Sequence, residues 1–101
     1  MQALYDWVIV ERYIPQAGIT LEMPDETKFM EALAVTMRVV SAGKIFGPEG
    51  WEELPVSAGD VVLASLVGGI RIRSREGETR FAIRYSYLIA KLEEVASTHE
   101  D

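Results

Sequence analysis

The sequence predicts an all-β barrel or sandwich. Three observations predict it. Runs rich in β-branched and aromatic residues are short and closely spaced, Gly and Pro punctuate them, and in Ile70–Arg73 and Arg80–Tyr85 apolar side chains alternate with mostly charged ones at a period of two. The 101 residues fit one domain. With 49% apolar residues the core is real but small. A domain of this size buries a lower share of its surface than a larger one, and association into an oligomer is one way to add buried area.

The first strand is Tyr5–Arg12, too β-branched to favour helix. Residues 13–34 follow no single period and are broken by Pro15, Gly18 and Pro24, although Ile14, Ile19, Leu21 and Met23 are apolar. An irregular segment of that length inside a compact domain is usually functional or disordered. Within it, Asp25 is a candidate cap, and Phe29, Met30 and Leu33 share a face of a short helix over Asp25–Leu33. Thr36–Ser41 reads as a second strand. Lys44–Leu54 reads as a hairpin turning at Gly47-Pro48-Glu49-Gly50, and Ser57-Ala58-Gly59-Asp60 as a further turn. Val61–Ser65 is a continuous apolar strand. Ile70–Tyr85 is a half-buried hairpin turning at Arg75–Glu78. Tyr87–Glu94 suits a last strand, with Leu88, Ala90 and Leu92 on one side, and also a helix, with Leu88, Leu92 and Val95 on one face. Residues 1–96 form the domain and 97–101 a polar tail.

Several chemistries find no support. Without cysteine there is neither disulfide nor thiolate metal site. The sole histidine, His99, lies in the polar tail, which argues against a Ser-His-Asp or Cys-His unit. No phosphate-binding glycine motif occurs. The pairs Glu52-Glu53 and Glu93-Glu94 are neighbours on strands, so each points to opposite faces and reads as solvated charge. The expectation is therefore no enzyme, no catalytic residue, no cofactor and no metal. No membrane-length apolar run occurs and Met1–Val10 is not signal-like, so the expectation is a cytoplasmic protein. A net charge of −6 disfavours nucleic acid as the main partner.

Four stretches, in order, resemble the co-chaperonin (GroES) family from about Leu4 to Glu94. Leu4–Arg12 resembles the family's opening strand. Ala17-Gly18-Ile19-Thr20-Leu21 resembles its mobile-loop motif, a glycine before an Ile-Val-Leu-type tripeptide. Pro55–Leu63, with Gly59-Asp60, resembles its Val-Gly-Asp turn and the strand after it. Tyr87–Glu94 resembles its closing strand. There are departures. The segment before Ile19 is shorter than usual, the one after Leu21 is longer, Ala58 stands for a valine, and Gly68 stands for an aromatic residue. The pattern is that of a divergent member, encoded by a bacterium or by a virus of a bacterial host.

The resemblance implies a small irregular GroES-like β-barrel with a long mobile loop at about 13–34 and a roof hairpin at about 44–54. It implies a homo-heptameric lid that closes the folding chamber of an ATP-bound chaperonin double ring. Gly18, Ile19, Thr20 and Leu21 would contact the chaperonin. Gly47, Glu49, Gly50, Glu52 and Glu53 would form the roof. Leu4, Trp7, Val8 and Ile9 of one subunit would meet Leu88, Ile89 and Leu92 of its neighbour.

Elementary physics suits the loop. In an extended backbone Ile19 and Leu21 point the same way, and burying each fully is worth roughly 1.5–3 kcal/mol. Ordering costs about 1–2 kcal/mol per residue, so one loop binds weakly and a ring of loops gains avidity of about 10²–10⁴. The alternative is that Ile19 and Leu21 are core residues of a strand, whose alternation Met23 would continue. A rival function rests on Arg71, Arg73, Arg75, Arg80 and Arg84, half of the ten basic residues. If Arg71, Arg73, Arg80 and Arg84 share one solvent face, a small barrel with that stripe suits single-stranded nucleic acid. A ring-forming structural protein with no chaperonin is the third reading.

Overall fold

A computed structural model describes residues 1–14, 17–22, 34–65, 69–73 and 76–96. The helix expected within Asp25–Leu33, the 97–101 tail with His99, Gly68 and Arg75 lie outside the described residues. Those residues form nine strands: β1 (Trp7–Arg12), β2 (Ile19–Glu22), β3 (Ala34–Ala42), β4 (Lys44–Gly47), β5 (Gly50–Glu53), β6 (Val61–Ser65), β7 (Ile70–Arg73), β8 (Thr79–Arg84) and β9 (Leu88–Ala96). A 3₁₀ turn, Tyr85–Tyr87, joins the last two. The fold is all-β, and the closing segment left open between strand and helix is a strand.

Seven strands make one antiparallel sheet in the order β2-β9-β6-β3-β1-β8-β7, while β4 and β5 stand apart as a hairpin. Among the described residues the sheet is open, not closed into a barrel. β2 and β7 end it without pairing with each other. Closure is one way to bury the sheet's inner face; here Leu54 and Val56, on the arm between β5 and β6, cover it instead.

That inner face carries Val8 and Val10 of β1, Met37 and Val39 of β3, Val62 and Ala64 of β6, and Ile83 of β8. The outer face is also partly apolar. Ile9 and Ala82 pack with Trp7, Val40 and Ile72 at one end, and Val61, Leu63 and Leu92 pack with Tyr13, Leu21 and Ile89 at the other. The continuous apolar runs Val8-Ile9-Val10 and Val61–Ala64 are therefore buried on both sides, as their lack of alternation requires. A bulge reconciles β3 with this scheme. Val39 lies opposite Val10 and Ser41 opposite Ile9, so Val40 is the extra residue. It turns to the outer face, and both Val39 and Ala42 remain on the inner one.

The Ser57–Asp60 turn is tied into β3. Gly59 adopts φ +96°, open to glycine at no steric cost. Its N–H donates to the Val39 carbonyl at 2.8 Å, and Val39 N–H donates to the Asp60 carbonyl at 2.8 Å. The Asp60 carboxylate accepts from Ser57 N–H at 2.8 Å and meets Lys91 Nζ at 3.2 Å.

At the other end, Tyr5 has φ +56°, the left-handed region that a non-glycine residue rarely occupies. Gly43 makes this possible, because a Cβ there would collide with the Tyr5 carbonyl. Gly43→Ala is expected to destabilise the protein by about 1–3 kcal/mol through overpacking. Urea unfolding is the measurement; an unchanged midpoint would show that the Tyr5 turn yields freely.

Candidate functional site

The tripeptide singled out in the sequence lies in β2, an end strand of four residues. Gly18 precedes it at φ +80°, which turns the chain into the strand. Among the described residues β2 pairs with β9 alone, Ile19 opposite Ala96, Thr20 opposite Val95, Leu21 opposite Glu94 and Glu22 opposite Glu93. Ile19 and Leu21 are half-buried, Thr20 and Glu22 exposed. Leu21 packs against the Val61, Leu63 and Leu92 group on the outer face. The described part of the expected mobile loop is thus partly strand, in line with the core-strand alternative. Alternation at period two is compatible with an extended loop and an edge strand alike, and only the presence of a pairing partner separates them.

The hold on β2 is light. Among the described residues it has one neighbouring strand, and none of its side chains is fully buried. Glu22 faces Glu93 directly across the strands, and like charges so placed are destabilising. The other carboxylate of the pair singled out earlier, Glu94, is instead engaged by Arg38 Nη2 at 3.4 Å. Arg38 also donates to the Gly59 carbonyl at 3.0 Å, and its guanidinium sits 5.4 Å from the centre of the Tyr13 ring. Arg38 therefore ties β3 to β9 and to the Gly59 turn, but not to β2.

The hairpin expected at 44–54 is present as β4–β5, with Gly47 opposite Gly50 and Pro48-Glu49 between them. Glu49, Glu52 and Glu53 are all exposed. Phe46 and Trp51 are directly opposite each other, with ring centres 5.5 Å apart at 74°. Trp51 also meets Tyr5, 5.7 Å away. The three rings make an exposed aromatic row, and Leu4 lines the same hollow as Tyr5 and Trp51. A row of this kind is worth about 0.5–1.5 kcal/mol per pair, which steadies a two-stranded hairpin that is marginal alone. Phe46 and Trp51 belong to one hairpin, whereas Tyr5 comes from some forty positions earlier in the chain.

The residues expected at a subunit interface divide. Val8, Ile9 and Leu92 are buried within the chain's own core. Trp7, Leu88 and Ile89 are half-buried and Leu4 is exposed. β1 is paired on both sides, with β3 and β8, so a neighbouring strand finds no free edge between Val8 and Glu11. β9 pairs with β6 along Leu88–Leu92 and with β2 along Glu93–Ala96.

The register of β7 with β8 divides the arginines that a shared basic stripe would need. Arg71 lies opposite Phe81 and Arg73 opposite Thr79, whereas Arg80 lies opposite Ile72. Arg71 and Arg73 therefore share the inner face, and Arg80 and Arg84 the outer one. The outer pair is also neutralised. Arg80 is 3.0 Å from Glu78, and Arg84 is 2.7 Å from Asp6 with its guanidinium 4.5 Å from the Trp7 ring centre. Identical alternation in two strands does not put their charges together unless the turn sets them in matching phase.

Among the described residues no group of three or more His, Asp or Glu side chains converges as a metal site, and no helix is long and apolar enough to cross a membrane. Compared with known proteins, the chain matches no family model and no curated sequence.

Proposed function

We propose that this chain is a subunit of a co-chaperonin-type lid, a homo-heptamer working in the cytoplasm. Gly18-Ile19-Thr20-Leu21 is the segment that engages an ATP-bound chaperonin double ring. One observation carries the reading. The tripeptide occupies the outermost, four-residue strand of the sheet, attached to one neighbour, with Ile19 and Leu21 only half-buried and a like-charge pair at its end. A strand so held peels away at small cost and exposes two side chains that point the same way. The hydrophobic gain in a partner's groove then exceeds what each residue has on the sheet. The exposed acidic hairpin β4–β5 suits a solvated roof, and the four ordered motifs from Leu4 to Glu94 supply the family resemblance.

Co-sedimentation with a chaperonin, with and without ATP, tests the reading. Capture that requires ATP is the expected result. Native mass that shows rings together with no capture would leave a ring-forming structural protein, and neither rings nor capture would overturn both readings.

A further inference from the structure

We propose that the two end strands of the sheet join copies of this chain head to tail, the outer edge of β2 in one copy pairing in parallel with the outer edge of β7 in the next. Among the described residues each of these strands has a single neighbour, so each presents a row of unsatisfied backbone N–H and C=O groups.

Their side chains match face for face. On β2, Leu21 packs on the outer-face group around Leu63, so Ile19 and Leu21 lie on the outer face and Thr20 and Glu22 on the inner. On β7, Ile72 packs on the outer-face group around Ile9, so Ile70 and Ile72 lie on the outer face and Arg71 and Arg73 on the inner. Ile70 is 54% exposed, a large apolar side chain on an open edge. Neither Arg71 nor Arg73 has an ion pair with a described residue, in contrast to Arg38, Arg80 and Arg84. Among the described residues Glu22 likewise has no cationic partner, and it faces Glu93. Each edge therefore lacks what the other offers.

Strand direction selects the arrangement. Every adjacent pair in the seven-stranded sheet is antiparallel, so β2 and β7 run the same way. A copy moved sideways, without being turned over, sets β2 parallel to β7 with both faces preserved. Ile19 and Leu21 then meet Ile70 and Ile72, and Thr20 and Glu22 meet Arg71 and Arg73. Joining two β7 edges about a two-fold axis would instead crowd the four guanidiniums of both copies onto one face. An antiparallel β2–β7 junction would turn one copy over and set Ile19 and Leu21 against the arginines. The second copy in the head-to-tail sense is the occupant that satisfies both charge and apolar pattern. Four residues span about 13 Å at ~3.3 Å each, so one junction holds weakly. A head-to-tail junction closes into a ring if its rotation allows and otherwise extends as a filament.

A β2 strand held between β9 and a neighbour's β7 keeps Ile19 and Leu21 on the sheet. An assembly joined through β2 is therefore distinct from the proposed lid, in which β2 is free to engage a chaperonin. The junction stands on the strand pattern alone and does not depend on a chaperonin being the partner.

The test uses native mass and sedimentation over a range of concentrations with no chaperonin present. Arg71→Glu with Arg73→Glu in one protein, and Glu22→Arg in another, each place like charges across the junction. Each variant alone is expected to associate about tenfold or more weakly than wild type, with its β signal in circular dichroism intact. Their equimolar mixture is expected to restore association, because each altered edge then meets a complementary one. Should the double glutamate variant fail to fold, Arg71→Gln with Arg73→Gln reads the same loss in a milder form. A monomeric wild type at all concentrations, variants that associate as well as wild type, or a mixture that stays dissociated would each overturn the junction. Chaperonin capture, measured separately, is untouched by that failure.

Discussion

Leu63→Ala is expected to destabilise the fold by about 2–5 kcal/mol, the usual range for a buried leucine truncated to alanine. Leu63 is 1% exposed, in a strand flanked by β3 and β9 and buried on both faces. Its neighbours Val61 and Leu92 are held by the ladder of β6 with β9, so the cavity collapses little. A domain of this size has a total stability of about 5–15 kcal/mol, so the loss is a large part of it. Urea unfolding is expected to show a lower midpoint with an unchanged slope. Because Leu21 packs on the same group, amide exchange at residues 19–22 is expected to rise more than exchange in β1. Leu4→Ala, at a residue 63% exposed, is the control and is expected to shift stability by no more than about 0.5 kcal/mol. A Leu63→Ala protein as stable as this control would show that the β6 core is far looser than its burial implies.

Ile19→Ala with Leu21→Ala is expected to abolish capture by a chaperonin while the sheet stays folded. Each side chain buried in a partner is worth roughly 1.5–3 kcal/mol, so one strand loses about 3–6 kcal/mol of binding. Across several subunits the losses compound, since avidity multiplies contacts that are individually weak. The cost to the fold is smaller, because both side chains are only half-buried and sit in an end strand. Circular dichroism and unfolding separate the two effects. Retained β signal with lost co-sedimentation supports the binding role. Global unfolding of the double variant would mean that β2 is a structural strand, and retained capture would mean that the contact is made elsewhere.

How much was legible in the sequence follows from the range of the forces involved. The β4–β5 hairpin and the β7–β8 hairpin were legible because local turn residues and period-two alternation act over a few positions, and the fold keeps both, the second within the large sheet and the first apart from it. The all-β class follows from the same signals. The ambiguity of Tyr87–Glu94 and of Ile19–Leu21 had one cause: each pattern fits two local conformations, and a partner distant in the chain decides between them. For Leu88–Ala96 those partners are β6 and β2. For Ile19–Glu22 the partner is the far end of β9, over seventy positions away.

The arginines of the second hairpin show the same limit from the other side. Their positions and alternation could be read directly, yet the pairing of Ile72 with Arg80 sent Arg71 and Arg73 to one face and Arg80 and Arg84 to the other. A register differing by one residue reverses that outcome, and nothing in the alternation itself selects the register.

By itself, then, the sequence determined what local chemistry determines: an all-β chain, its turns at Gly47–Gly50 and Ser57–Asp60, and the apolar runs of β1 and β6. Tertiary structure alone decided that the sheet stays open, that Leu54 and Val56 cover its inner face, and that Ile19-Thr20-Leu21 lies along its edge. Those outcomes depend on hydrogen-bond partners and packing surfaces brought together from distant parts of the chain, and no window of neighbouring residues contains them.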